Sequence, residues 1–257
     1  MENTKRILSF TRRAVDDYEM IHAGDRIAVG ISGGKDSLTL LCALAQLRRF
    51  YPQPFELVAV TVDMGFAEPM KLDGVRALCE QLEVPYHVST TEIYKVIFEV
   101  RKEKNPCSLC AKMRRGALHN AAKKLGCNVV ALGHHFDDVV DTFMLNLFFE
   151  GRIGCFQPVT YLSRKDLTMI RPMIYMPEKD VRFFASHANL PVVKSTCPAD
   201  GNTERAEMQK LIAGLERTYP GLRYRIFGAI QRGEVDGFHL PKTGRMMGEK
   251  DYSEEEE

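Results

Sequence analysis

The chain has 257 residues, 45% of them hydrophobic, which is enough for one large α/β domain with a full core and no disulfide framework. The formal net charge of +1 is unevenly distributed, because residues 249–257 contain six acidic residues and one lysine. The rest of the chain is therefore mildly basic, and this charge permits a nucleic-acid partner. Short apolar runs, a charged N-terminus and an odd count of seven cysteines exclude a membrane-spanning or disulfide-stapled secreted protein, so we expect a cytoplasmic location and no membrane partner.

Residues 1–22 are predicted to form an N-terminal helix, with apolar side chains such as Ile7 and Val15 along one side of 4–22. Four basic residues lie among them: Lys5, Arg6, Arg12 and Arg13. We interpret the helix as packed on the edge of a sheet with a solvated basic face; a surface that faces RNA is the alternative.

A glycine-rich turn follows the first predicted strand, residues 27–31, and precedes a leucine-rich helix that starts near Leu38. Glycine lets the backbone turn sharply and approach a ligand, and a helix N-terminus offers N–H groups and the positive end of its dipole to an anion. The spacing fits neither G-x-x-x-x-G-K-[ST] nor G-x-G-x-x-G. We therefore predict a phosphate-binding loop of a different type, formed by Ser32, Gly33, Gly34, Lys35, Asp36 and Ser37.

Strand-like and helix-like segments alternate after this loop, which predicts an α/β fold: a parallel sheet with helices on both faces. Ligands of such sheets bind at the carboxyl ends of the strands. Ser32, Asp63 and Gly133 each follow a predicted strand, so we expect them to line one crevice. Asp63 either contacts the ribose or adenine of a nucleotide or serves only its own loop, and the residues alone leave both interpretations open.

The segment from Gly133 to Asp138, Gly-His-His-Phe-Asp-Asp, lies between a short apolar strand and an apolar helix. Its carboxylates, Asp137 and Asp138, suit Mg²⁺ binding and charge stabilisation at a phosphoryl group, with Asp36 as a second candidate Mg²⁺ ligand. The alternative is that both acids only complement a helix dipole. His134 and His135 serve either the site or the structure.

Residues 95–116 form a basic insertion with a single C-x-x-C pair, Cys107 and Cys110. Cys197 lies in a later Pro-containing loop, whereas Cys42, Cys79 and Cys127 fit core positions and Cys155 fits no clear role. Three thiolates suit an iron–sulfur cluster with one open iron, a zinc ion with an open position, or a redox dithiol that carries a persulfide.

These motifs occur in the order seen in the tRNA 2-thiocytidine synthetase family of the PP-loop ATP pyrophosphatase superfamily, and the similarity spans most of residues 1–232. The resemblance implies a Rossmann-like fold and an enzyme, a tRNA sulfurtransferase that uses ATP, Mg²⁺ and a [4Fe-4S] cluster on Cys107, Cys110 and Cys197. Adenylation of the C2 oxygen of a tRNA base, in the family's case a cytidine, precedes its replacement by sulfur. The catalytic residues it implies are Lys35, Asp137 and Asp138.

The resemblance also implies contacts of ATP and pyrophosphate with Asp63, Gly133 and His134 besides residues 32–37. The basic residues next to the cysteine pair are the tRNA phosphate contacts that we expect: Lys112, Arg114 and Arg115. The partners would be tRNA and a sulfur donor such as a cysteine desulfurase, and we expect a homodimer. The chain is shorter than many family members and lacks the cysteine that some carry upstream of the third ligand.

We predict four parts of the chain: 1–22, the nucleotide-binding domain 23–193, the third-cysteine loop with C-terminal helices 194–240, and a disordered acidic tail 241–257. On the last predicted helix, Arg223 either binds tRNA phosphates or belongs to a solvated face. Alternative functions are 2-thiouridine formation, a lysidine-like ligation, and nucleotide or RNA binding by a non-catalytic zinc protein.

Overall fold

The computed structural model describes residues 2–66, 68–101, 106–193, 204–244 and 246–247. The strands are β1 Arg26–Gly30, β2 Glu56–Asp63, β3 Tyr86–Thr90, β4 Val129–Ala131, β5 Val159–Leu162 and β6 Leu167–Ile170. The helices are α1 Glu2–Asp17, α2 Lys35–Leu47, α3 Asp73–Gln81, α4 Pro106–Lys124, α5 Phe136–Phe149, α6 Glu178–His187, α7 Glu204–Thr218 and α8 Leu222–Arg232. A π-helical turn, Lys95–Val100, precedes α4, and a 3₁₀ turn, Val235–Gly237, follows α8.

The sheet has the strand order β3-β2-β1-β4-β6-β5. Every neighbouring pair is parallel except β5 and β6, which form an antiparallel hairpin at the edge. The chain moves outward from β1 to β2 and β3, then crosses back to β4 on the other side of β1. This reversal places a crevice beside the carboxyl end of β1, where ligands of open α/β sheets bind.

Successive side chains of β1 pack on opposite faces of the sheet, as the pleat of a strand requires. Ile27 and Val29 belong to the larger core, which α2 and α5 cover. Ala28 faces a second core, to which Leu118 and Ala122 of α4 contribute. The predicted sheet with helices on both faces is therefore confirmed.

Helix α1 ends at Asp17, five residues earlier than predicted, and it packs on α2 and α6 rather than on the edge of the sheet. Three of its four basic residues pair within the chain. Arg6 Nε lies 2.7 Å from a carboxylate oxygen of Asp180 in α6, and Arg12 and Arg13 form ion pairs within α1. These contacts favour the structural interpretation of its basic residues over an RNA-facing surface.

Helices α7 and α8 pack on α5 and form the predicted helical extension. Beyond them, Lys242 pairs with Glu19 at 2.6 Å and Met247 is buried near α1. Packed structure thus continues past the predicted boundary at 241, while the acidic residues 249–257 and the loop with Cys197 lie outside the described residues. In the part of the chain described here, no helix combines the length and the apolarity that crossing a bilayer requires.

Candidate functional site

The glycine-rich loop between β1 and α2 curls around the hydroxyl of Ser37. The backbone N–H of Ser32 donates to Ser37 Oγ at 3.2 Å, and that hydroxyl donates to the carbonyl of Gly34 at 2.9 Å. Gly33 has a φ of +83°, and a Cβ there would lie 3.0 Å from Val193. Only glycine fits this left-handed, crowded position without strain, so the loop leaves its backbone open at the N-terminus of α2, as a phosphate site requires.

Lys35 is half-buried at the mouth of this loop between two carboxylates. Its Nζ lies 3.0 Å from Asp36 Oδ1 and 3.1 Å from Glu178 Oε1, at the N-terminus of α6. Burial alone would lower the pKa of Lys35, but the two carboxylates outweigh burial and raise it. Lys35 is therefore a firmly protonated ammonium that both carboxylates hold at the mouth of the loop. Sequence reasoning missed Glu178, because only folding brings α6 to the loop.

The turn after β4 presses directly on the glycine-rich loop. A Cβ on Gly133 would lie 3.0 Å from the carbonyl carbon of Asp36 and 3.1 Å from the backbone nitrogen of Ser37. A side chain at this position would push the two turns apart, so Gly133 permits the close approach. The two motifs therefore meet at one edge of the sheet, as their positions after β1 and β4 predict.

The two acids of the second motif each have structural partners. Asp138 accepts a hydrogen bond from the backbone of His135 at 3.0 Å and pairs with Arg205 at 3.1 Å. Asp137 accepts from the backbone of Glu178 at 2.6 Å and pairs with Arg223 at 3.1 Å. Each carboxylate therefore accepts a backbone hydrogen bond at a helix N-terminus, in line with the structural interpretation. A cation bound to Asp138 would share that carboxylate with Arg205.

Asp36 fits a Mg²⁺ ion better than the other carboxylates. Its Oδ1 is buried and accepts no hydrogen bond in the described residues, although Lys35 Nζ lies 3.0 Å away. The ion pair with Lys35 leaves a lone pair of this oxygen unused, and a hard cation that prefers oxygen ligands would fit there. His135 Nε2 lies 3.7 Å from the same oxygen.

The cysteine pair begins α4 and lines a cavity of about 170 Å³. Cys107 is exposed and Cys110 is half-buried. Cys110 Sγ lies 3.6 Å from Met64 Sδ, and Met64 follows β2 directly. The cavity is otherwise lined mainly by apolar and aromatic side chains: Met64, Phe66, Ile93, Tyr94, Ile97 and Phe98. Two thiols on one helical turn, facing an apolar cavity at the carboxyl end of the sheet, suit a thiolate-bound metal centre.

Known proteins share this architecture and sequence. A family model described as a PP-loop domain matches residues 5–214. A tRNA-cytidine(32) 2-sulfurtransferase from Geobacter sulfurreducens is 41% identical over 229 residues, which cover 88% of this chain and 89% of the relative. The corresponding Bordetella pertussis protein is 39% identical over 89% of this chain and 72% of its own length. The chain belongs to the PP-loop family of tRNA-cytidine 2-sulfurtransferases.

A solved structure extends the family comparison. The U34-tRNA thiolase NcsA from Methanococcus maripaludis, with its [4Fe-4S] cluster, superimposes with a TM-score of 0.71 at 27% identity and covers 87% of this chain and 77% of that one. The predicted fold and family are thus confirmed, and the segment 32–37 is the PP-loop that we predict for this family member.

His134 follows Gly133 in the turn that lies against the PP-loop. The ring centroids of His134 and Phe156 lie 4.8 Å apart. The guanidinium carbon of Arg171 lies over the Phe156 ring, 4.9 Å from its centroid. Burial, helped by the nearby charges of Arg171 and Arg205, lowers the pKa of His134 to about 3. His134 is therefore a neutral imidazole at neutral pH.

The remaining predicted site residues have mixed outcomes. Asp63 ends β2 and accepts a hydrogen bond from the backbone of Gly65 at 3.0 Å, so it serves its loop, while its contact with ATP stays a prediction. Arg223 is not solvated: it pairs with Asp137 and with the buried Asp141. Arg205 was not singled out from the sequence, because an arginine in a polar helix carries no signal of its distant partner.

The other described cysteines are structural. Cys42 and Cys79 are buried, and burial raises their pKa values to about 12 and about 11. Cys127 is also buried, as predicted. Cys155 is half-buried with its thiol 3.5 Å from the carbonyl of Val139, and burial raises its pKa to about 12. Thiols held protonated at neutral pH are poor nucleophiles and metal ligands.

Proposed function

We propose that this chain is an ATP-dependent tRNA sulfurtransferase that replaces the C2 oxygen of a tRNA cytidine with sulfur. Family membership supports tRNA thiolation, and the identity of about 40% to tRNA-cytidine(32) 2-sulfurtransferases favours cytidine. The geometry adds a phosphate site and a cysteine pair at one edge of the sheet.

The position of α4 carries the proposal. Its first turn carries Cys107 and Cys110, with Cys110 beside Met64, and further along the helix Leu118 Cδ2 lies 3.0 Å from a Cβ placed on Gly30, where β1 ends and the chain enters the glycine-rich loop. A single helix therefore spans from the cysteine pair to the phosphate site. An enzyme that activates a base with ATP and then substitutes sulfur needs both centres within reach of one nucleotide.

ATP is expected to bind with its phosphates on residues 32–37, where backbone N–H groups, Ser32 and Lys35 converge. Lys35 would neutralise charge on the phosphates, and its release from Asp36 would free that carboxylate for Mg²⁺. Asp63 would face the ribose or adenine. Asp137 and Asp138 would hold the turn that carries Gly133 and His134 against the phosphates.

Cys107, Cys110 and Cys197 would hold the [4Fe-4S] cluster, and the chemistry of three thiolates fits it. When bound, such a cluster supplies an iron with an open coordination position for a sulfur atom. The apolar side chains around Cys110 would limit the access of water to a group held there. A cysteine desulfurase is the proposed class of sulfur donor.

In the proposed reaction, the C2 oxygen of the base attacks the α-phosphorus of ATP, and pyrophosphate leaves. Hydrosulfide then bonds to C2 and loses its proton, and the C2–oxygen bond breaks so that AMP leaves with the original oxygen. The base has to be presented singly, so we expect the target in a loop of the tRNA. Lys112, Arg114 and Arg115, which are exposed on α4 after the cysteine pair, would bind the phosphates next to it.

Formation of 2-thiouridine is a second candidate, since the structural relative NcsA is a U34-tRNA thiolase. Reconstitution under anaerobic conditions distinguishes the two. Purified protein is incubated with ATP, sulfide and tRNA transcripts that carry cytidine or uridine at the tested loop position. Production of 2-thiocytidine with one AMP per modified base supports the proposal, whereas 2-thiouridine alone, or ATP turnover with no thiolated base, contradicts it.

A further inference from the structure

The outer side of α4 is strongly basic. The helix contains five basic residues and no acidic one. Lys112, Arg115 and Lys123 recur at spacings that place them along one stripe, and all three side chains are exposed. With a rise of about 1.5 Å per residue, the stripe extends about 16 Å from the cysteine end of α4 toward the opposite edge of the sheet.

The antiparallel β5–β6 hairpin continues this stripe. Lys165 Nζ contacts Asn120 Oδ1 at 2.8 Å, and Lys123 Nζ lies 3.1 Å from the carbonyl of Asp166. These contacts fasten the hairpin turn beside the second half of α4. The side chains of Lys112, Arg115, Lys123, Arg164 and Lys165 together are called the α4–hairpin surface.

Positive charge on this surface has little compensation. In the described ranges, no carboxylate oxygen lies within 4 Å of Arg115, Arg164 or Lys165. Asp166, the one acid of the hairpin, is engaged by Lys123 and by the hydroxyl of Tyr161 at 3.0 Å. Lys165 is held by a neutral amide, which orients its charge without neutralising it.

The buried His119 is affected by positive charges from both parts of this surface, α4 and the hairpin. Burial lowers its pKa, and Arg115 from α4 and Lys165 from the hairpin lower it further. Both cations therefore lie near one imidazole and repel its protonation. Like charges gathered in this way destabilise the free protein slightly, and a polyanion would offset that cost.

From these contacts we infer that the α4–hairpin surface binds the phosphate backbone of the tRNA stem adjoining the loop that presents the target base. The inference rests on the proposed function. The surface begins at Lys112, directly after the cavity residues Cys110 and Ala111, and runs away from the cavity along α4. A loop nucleotide at the cavity would leave its stem lying along this direction. Proteins recognise A-form RNA stems mainly by shape and by phosphate and 2′-hydroxyl contacts, which exposed Lys and Arg side chains provide.

Equilibrium binding of an unmodified tRNA transcript tests the inference. Arg164→Gln/Lys165→Gln removes two charges and keeps polar side chains that are able to contact Asn120. We expect its affinity to fall about tenfold or more near 0.1 M salt, and the slope of log K against log salt to decrease by roughly 2 in magnitude. ATP affinity and the urea midpoint should stay at the wild-type values.

Lys5→Gln/Arg49→Gln is the matched control. It removes two exposed charges from α1 and the end of α2, which pack on the other face of the sheet, and it should bind tRNA as the wild type does. A loss in the control equal to that in the hairpin variant would contradict the inference.

Three further outcomes are decisive. If the wild type binds tRNA and the hairpin variant matches it in affinity and salt slope, the inference is wrong while the proposed function stands. If the wild type binds no tRNA, both fail. If the hairpin variant loses the same factor for unstructured poly(U) as for tRNA, the surface binds any polyanion and the assignment to a stem is wrong.

Discussion

Arg205, in the first turn of α7, donates a hydrogen bond to Asp138 in the first turn of α5 across 3.1 Å, although 67 positions separate them. Its other amino nitrogen donates to Thr142 at 3.1 Å. Since α7 begins at Glu204, this contact fixes the start of α7 beside the turn that precedes α5.

Arg223 and the buried Asp141 give a stability prediction. Arg223 is 19% exposed and pairs with Asp141, which is 1% exposed and also accepts from Gln209. Arg223→Ala leaves a buried carboxylate without its cation, so we expect a loss of about 2 kcal/mol in the free energy of unfolding at pH 8. Arg205→Ala is the control, since its 40% exposed pair with Asp138 should contribute at most about 1 kcal/mol.

The loss of stability in Arg223→Ala should also depend on pH. Burial raises the pKa of Asp141, and Arg223 counteracts that rise. An acid with a raised pKa in the folded state binds its proton more tightly there, so its contribution to stability falls as pH rises through that pKa. Without Arg223 the pKa rises further, so the deficit of Arg223→Ala should be smaller near pH 5 than at pH 8. A deficit that is constant across this range in urea titrations would show that Asp141 is not the affected group.

Gly133→Ala tests the contact between the two turns. Its Cβ would lie within 3.1 Å of the backbone of Asp36 and Ser37, so we expect a loss of about 1–3 kcal/mol in stability and weaker ATP binding. Gly116→Ala is the matched control, because nothing lies within 4 Å of a Cβ there and alanine favours a helix interior by roughly 1 kcal/mol. Unchanged ATP affinity in Gly133→Ala, measured by calorimetry, would argue against close packing of the turns.

Lys35→Ala is expected to reduce pyrophosphate release by roughly 100-fold or more, because an ammonium aimed at the phosphates is lost. Iron content should stay at the wild-type value. Lys179→Ala, which removes an exposed cation next to Glu178 in α6, should release pyrophosphate normally. Turnover that persists in Lys35→Ala would refute the phosphate role of Lys35.

The cysteines give a spectroscopic prediction. After anaerobic purification, Cys107→Ala, Cys110→Ala and Cys197→Ala should each lose the broad absorbance near about 400 nm expected of a thiolate-bound cluster. ATP binding should persist in all three. Cys155→Ala is the control and should keep its colour, since that thiol is half-buried and its pKa is raised to about 12. A colourless wild type with one zinc and full activity would contradict the cluster.

Local patterns predicted much of the fold. The Ile27–Ile31 run, the glycines of the PP-loop and the leucines after Ser37 define a strand, a turn and a helix within a few residues, where sequence periodicity is strongest. The antiparallel β5 was not predicted, because four residues of mixed burial at a sheet edge carry little periodic signal.

The site was predictable only where its residues are local. Gly133 and the PP-loop were expected at the same edge, since both follow strands. Glu178, Arg205 and Arg223 were not assigned to the site, because their partners lie at least 41 positions away and depend on how α6, α7 and α8 pack. Asp137 and Asp138 suggested catalysis, whereas the structure shows that part of each carboxylate holds the turn.

Nucleoside analysis of tRNA from cells with and without this protein tests the central claim most directly. We predict that one 2-thiolated nucleoside, 2-thiocytidine, disappears without the protein, returns with the wild type and stays absent with Lys35→Ala or Cys110→Ala. A tRNA pool whose 2-thiocytidine is unchanged in the absence of the protein would contradict the proposed function.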